Sequence, residues 1–273
     1  MKNLSDIRSL IFLSVAWGFQ LIVMFSPKEI FSPSVLIVLF LLNVIFVLQA
    51  SLINHNHRHC GIFHSQILNR CVDRMISSIL LSPSTRLHAV HMFNHHTHYR
   101  SGEKDWASYK LATKHSSGFL RSLEYLKNSS REMFKNRPTL NLPEELRRNQ
   151  KVERVFIVVY VGILLFINPF MTLFWLIPSC VFGLFLLLLA NLVNHDRCDL
   201  ESEFNHSRNF HSRFENWFFC NNGYHTAHHL KPAMHWSKYP DFHKRELLEK
   251  MDSELNEGSL LVYYLKNYLW PRK

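Results

Sequence analysis

Four long stretches without a single charged side chain set the terms for what this chain can fold into. They run from about Leu10 to Phe25, from Ser34 to Ile53, from Val155 to Phe170 and from Thr172 to Val193. The hydrocarbon core of a bilayer is roughly 30 Å thick and takes about 20 apolar residues of helix to cross. Lys2 and Arg8 ahead of the first run have the look of a signal-peptide start, but no small-residue cleavage pattern follows and the second run arrives almost at once. The first two runs therefore read as a membrane hairpin turned around Pro27 to Pro33, and the last two as another with a very short turn near Asn168 and Pro169. The expected fold is all-α and integral to the membrane. Four transmembrane helices, at about 9–26, 34–54, 155–170 and 172–193, and a cytoplasmic helical cap make one domain over residues 1–273.

Charge orients that hairpin pair. Arg and Lys outnumber acidic residues about two to one between Asn54 and Arg154, whereas the turns hold only Lys28 and Glu29. By the positive-inside bias, both termini and the segments 55–154 and 196–273 are cytoplasmic. The membrane would be the inner membrane of a bacterial cell or the endoplasmic reticulum of a eukaryotic one. The net charge of +10 comes largely from the first segment; no nucleic-acid motif accompanies it, and it suits anionic lipid head groups. Five cysteines, odd in number and without a CxxC pair, argue against a disulfide framework.

Histidines gather where the runs end. His55, His57 and His59 follow the second run, with His55 and His59 one helical turn apart and His57 turned away. His91, His95 and His96 form a second cluster, in which His91 and His95 repeat the one-turn spacing and His96 can reach a second metal. His98 is ambiguous, able to replace one of them or to face solvent. Glu103 or Asp105 can hydrogen-bond the far nitrogen of a ligand imidazole. Asn191 and His195 end the fourth run one turn apart, and His225, His228 and His229 share a helical face in the tail. His206 lies close in sequence to both of the last two groups, and His64, His88, His115, His211, His235 and His243 read as surface or hydrogen-bonded histidines. Neutral imidazole suits iron, copper, zinc or nickel. No HExxH pattern accompanies the histidines.

The HxxxH at His55 to His59, the HxxxHH at His91 to His96 and the HxxHH at His225 to His229, in that order among the spans, resemble the histidine boxes of the membrane fatty acid desaturases and of the related lipid hydroxylases and carotenoid ketolases. The Asn191 to His195 pair resembles the NxxxH element of stearoyl-coenzyme A desaturases. The resemblance implies two iron ions held by His55, His59, His91, His95, His96, His195, His225, His228 and His229, with Asn191 reaching its metal through water. It implies dioxygen as co-substrate and a lipid acyl chain as substrate. Electrons would come from an external donor such as a ferredoxin or a cytochrome b5-like protein, since no flavin, heme or iron–sulfur motif is present. A hydroxylase or ketolase with the same centre, and a histidine-rich metal-binding membrane protein without catalysis, are the competing readings.

Overall fold

The computed structural model describes residues 1–102, 104–113, 118–136 and 139–269. In chain order its helices are α1 (Asp6–Phe25), α2 (Pro33–His59), α3 (Gln66–Leu80), α4 (Ser84–Val90), a π-helical turn (His91–His95), α5 (His96–His98), α6 (Gly118–Asn136), α7 (Glu144–Ile167), α8 (Pro169–Met171) and α9 (Ile177–His195). The tail adds α10 (Arg213–Phe218), α11 (His225–Leu230), α12 (Tyr239–Phe242) and α13 (Leu260–Tyr264). Two-residue strands, β1 (Asn209–Phe210) and β2 (Asn256–Glu257), pair in parallel with Asn209 opposite Asn256.

The helix ends follow local chemistry. Ser32 caps α2 by accepting from the Val35 N–H, and Pro33 at the first helical position loses nothing because that N–H has no helical partner. Asn168 ends α7 and accepts from the Met171 N–H at 3.1 Å, with Pro169 opening the next helix. Both expected breaks between helices fall at these prolines.

Among the described residues, three helices are long and apolar enough to cross a membrane: Asp6–Phe25, Pro33–His59 and Pro169–His195. The expected span at 155–170 is the apolar C-terminal half of α7, continued past its end at Ile167. Its N-terminal half carries Glu144, Glu145, Arg147, Arg148, Lys151, Glu153 and Arg154, so the whole helix does not have a span's composition.

The chain forms two compact units, Met1–Leu87 with Leu142–Leu187 and His88–Asn141 with Leu188–Lys273. In the first, Leu13, Ala16, Val47, Ala50, Ile53, Ile76 and Ile79 are buried, while Ile22, Ile37, Val38, Phe166 and Phe174 point outward. Outward apolar side chains on such helices are the lipid-facing pattern. Inside, Gln20 Nε2 donates to Asn43 Oδ1 at 3.0 Å and Asn43 Nδ2 to Ser179 Oγ at 2.6 Å, polar ties between helices of the kind bilayer interiors favour. At Gly183 a Cβ would stand 2.5 Å from Val47 Cγ1, so only glycine permits that approach. The second unit closes around Ala112, Tyr125, Leu192, Val193, Phe210 and Tyr268. Asp196 ties its parts together, accepting from Arg121 on α6 and from the Tyr268 hydroxyl.

Candidate metal centre

Local backbone chemistry aims the histidines of the second unit. At His91–His95 the helix widens to a π turn, the His96 N–H bonding to the His91 carbonyl five residues back. Such turns interrupt α-helices mostly at functional sites. One extra residue is taken up there, and His91 and His96 come onto the same face with Nε2 atoms 2.9 Å apart. His95 points elsewhere. The expected pairing of His91 with His95 on one metal, with His96 reaching a second, is therefore corrected: the i, i+4 rule holds for an α-helix, and this turn is not one.

The tail's histidines are set by a strand and a close contact. The Asn209 side chain on β1 accepts from the Thr226 N–H at 3.0 Å, supplying the first turn of α11 with a cap from outside the helix. Phe210 N–H donates to the Gly223 carbonyl at 2.8 Å, and a Cβ on Gly223 would stand 2.3 Å from the Phe210 carbonyl oxygen. Box three thus opens on a residue that has to be glycine. His195 ends α9, where the buried Arg208 guanidinium donates to the carbonyls of Val193 and Asp196.

Two groups of ring nitrogens result. His95, His195, His225 and His229 bring ligand atoms within 4.8 Å of one another, all four residues buried. His225 Nε2 lies 2.9 Å from His195 Nε2 and 3.0 Å from His229 Nε2. His91, His96 and His228 form a triangle of Nε2 atoms with edges of 2.9, 3.0 and 3.3 Å. Two imidazoles at right angles around an ion, each about 2.1 Å from it, would have nitrogens about 3.0 Å apart. The far nitrogens are held as well. His95 Nδ1 pairs with Asp105 Oδ2 at 2.9 Å, His195 Nδ1 with the His206 carbonyl at 3.0 Å, and His228 Nδ1 with the Tyr239 hydroxyl at 3.3 Å. The Asp105 carboxylate and the His206 carbonyl only accept, so they put the proton of His95 and His195 on Nδ1 and leave the Nε2 lone pair free.

Burial keeps the His229 ring uncharged. It pushes His229 well below the ordinary histidine value, and the neighbouring imidazoles of His225, His96, His195 and His95 act in the same direction. Burial alone would raise the Asp105 carboxyl; the contacts with His95 and the Ala107 N–H outweigh it and hold the carboxyl below its usual range. Tyr99, itself buried, lays its ring 4.4 Å from that of His229.

The remaining candidates separate. In the first unit His55 and His59 stand one turn apart at the end of α2 with rings 5.2 Å apart. His57 faces away: its Nδ1 accepts from the Ile62 N–H and its Nε2 lies 3.3 Å from Asp73, which Arg58 also pairs. In the second unit His98 is half-buried, and its ring meets none of the other histidines among the described residues. Asn191 donates its amide hydrogens to the Ala107 carbonyl and the Tyr125 hydroxyl. His206 and His243 are buried rather than at the surface. Glu103 and His115 lie outside the described residues. Tyr99, Tyr239 and the His206 carbonyl escaped sequence reasoning, because a phenol or a carbonyl beside a distant helix leaves no spacing signal.

A mainly helical chain with membrane-length apolar helices and buried histidines whose ring nitrogens converge has the groups with which a membrane protein could hold a metal. The family model described as Fatty acid desaturase matches residues 32–258, and the chain belongs to the fatty acid desaturase family. No curated protein and no solved structure matches it.

Proposed function

We propose that the chain is a dioxygen-dependent, di-iron desaturase that introduces a double bond into a lipid acyl chain with electrons from an external protein. One observation carries this reading: within a member of the fatty acid desaturase family, two separate groups of histidines bring their ring nitrogens together at two points. The donor set fits iron. It is all imidazole, which suits iron and disfavours the oxygen-preferring ions. The buried His95 Nε2 has no hydrogen-bond partner among the described residues, as a ligand atom awaiting an ion would.

In this reading His95, His195, His225 and His229 hold one ion. His91, His96 and His228 hold the other, and the resemblance to the desaturase boxes adds His55 and His59 to the ligands of the pair. Iron bound there supplies reduction of dioxygen and an oxidant for an unactivated C–H bond. The chain's own contribution is orientation and exclusion of water. Asp105 keeps the proton on His95 Nδ1, the His206 carbonyl does so for His195, and the Tyr99 ring covers His229.

The C-terminal half of α7 is read as a fourth span, paired with α9 across Asn168, with the histidines and both termini on the cytoplasmic side. Exposed Arg147, Arg148 and Lys151 on the polar half of α7 form a docking surface for an acidic ferredoxin or cytochrome b5-like donor. The test is mass spectrometry of lipids from a host of known composition expressing the chain. Loss of two hydrogens from an acyl chain is expected; gain of one oxygen instead would make the enzyme a hydroxylase.

A further inference from the structure

We infer that His206 is a positioning residue that holds two metal-binding histidines at once, its backbone carbonyl fixing His195 and its imidazole fixing His229. The inference rests on the reading of His95, His195, His225 and His229 as one metal's ligands. The first half is direct, since His195 Nδ1 lies 3.0 Å from the His206 carbonyl oxygen. A carbonyl only accepts, so His195 carries its proton on Nδ1.

The second half follows from two ring atoms that complement each other. His206 Nδ1 lies 2.9 Å from the Glu203 carbonyl oxygen, so it too is the protonated nitrogen and His206 Nε2 is an acceptor. His229 turns Nε2 toward His225 at 3.0 Å, which leaves Nδ1 as its outer nitrogen. With Nε2 given to a metal, that Nδ1 carries the proton and is a donor. Among the described residues neither His206 Nε2 nor His229 Nδ1 has a partner, and both atoms are buried. Their rings lie against each other with centroids 5.5 Å apart and planes at 77°. A buried acceptor and a buried donor on touching rings satisfy each other through one bridging water, and burying both unsatisfied would cost about 1–3 kcal/mol apiece.

The arrangement also explains why His206 is not a ligand, although it lies near the centre and was a candidate from sequence. The group of mutually close ligand atoms comprises His95, His195, His225 and His229 without it. His206 stands behind His229 as Asp105 stands behind His95. Loss of such an outer partner typically weakens metal binding about 10–100-fold.

The experiment loads the detergent-purified full chain and its H206L and H206Q variants with ferrous iron alone, then measures iron per chain under increasing chelator, alongside thermal unfolding of each metal-free protein. Leucine has no acceptor; glutamine offers Oε1. The expected result is that H206L releases one of its two irons at about 10–100-fold lower chelator concentration, while H206Q stays within about threefold of wild type and metal-free unfolding of the two variants is alike. Should H206L fail to fold, H206Q alone decides, its near-wild-type retention supporting the assignment and a tenfold loss overturning it. Unchanged retention in H206L, or equal loss in both variants with equally lowered unfolding temperatures, overturns the role of His206. A wild-type chain that binds no iron overturns the metal centre itself, a different outcome from either.

Discussion

His55 and His57 stand two residues apart and do opposite things. The alternation was legible, because a helix with 3.6 residues per turn cannot aim both at one ion. What His57 does instead was not: its partners Ile62 and Asp73 come from the following turn and from α3, and no spacing rule names them. His57→Ala is expected to leave iron content unchanged while lowering stability by about 1–3 kcal/mol, since it leaves the Ile62 N–H without its acceptor; denaturant titration beside metal analysis checks both. His95→Ala and His228→Ala should abolish iron and activity, and equal iron loss from all three variants would contradict the assignment of faces. His206 gives a pH signature. Burial, its largest cause, pushes this histidine from the ordinary 6.5 to about 4. Between those values the unfolded chain takes up a proton that the folded chain refuses. Stability is therefore fully present above about pH 6.5 and falls as the pH drops toward 4, by on the order of 3 kcal/mol from this residue. Urea titrations of the metal-free protein at both ends of that window should show the loss, and His206→Gln should remove His206's share of it.

At the scale of elements, the apolar runs were readable because membrane spanning demands length and lack of charge together. Their ends were less so. Helix α2 continues through His59, and α7 begins in a charged stretch that no hydropathy run includes. The π turn at His91–His95 was the feature sequence could not give, since a five-residue spacing of histidines has no face of its own in an α-helix. The turn absorbs the one residue by which this HxxxHH exceeds an HxxHH. Deleting Met92, which is half-buried and contributes no ring nitrogen, should let the α-helix run through and return His91 and the HH pair to i, i+3 and i+4. The variant is expected to retain iron within about tenfold of wild type, whereas inserting one alanine after Met92 should abolish binding. Metal analysis of the two variants distinguishes a turn that serves the box from one that merely occurs in it.

For the molecule as a whole, the order of boxes and spans was legible in the sequence, and the family confirms what that order resembles. The partition of nitrogens between two groups, and the roles of Tyr99 and Tyr239, needed the folded second unit, because those contacts join residues that sequence separates; Asp105 beside a ligand imidazole was legible from its place just after the second cluster. The exposed basic residues Arg147, Arg148 and Lys151 carry a prediction at this scale. Changing all three to glutamate should slow reduction by an acidic donor and flatten its dependence on ionic strength, as long-range steering is screened over about 8–10 Å at 0.1–0.15 M salt; an unaltered salt dependence would place the donor elsewhere. The central claim is the pair of metal sites, and quantitative metal analysis of the purified full chain tests it most directly. About two irons per chain is the predicted result; a single zinc, or no stoichiometric metal, would contradict it.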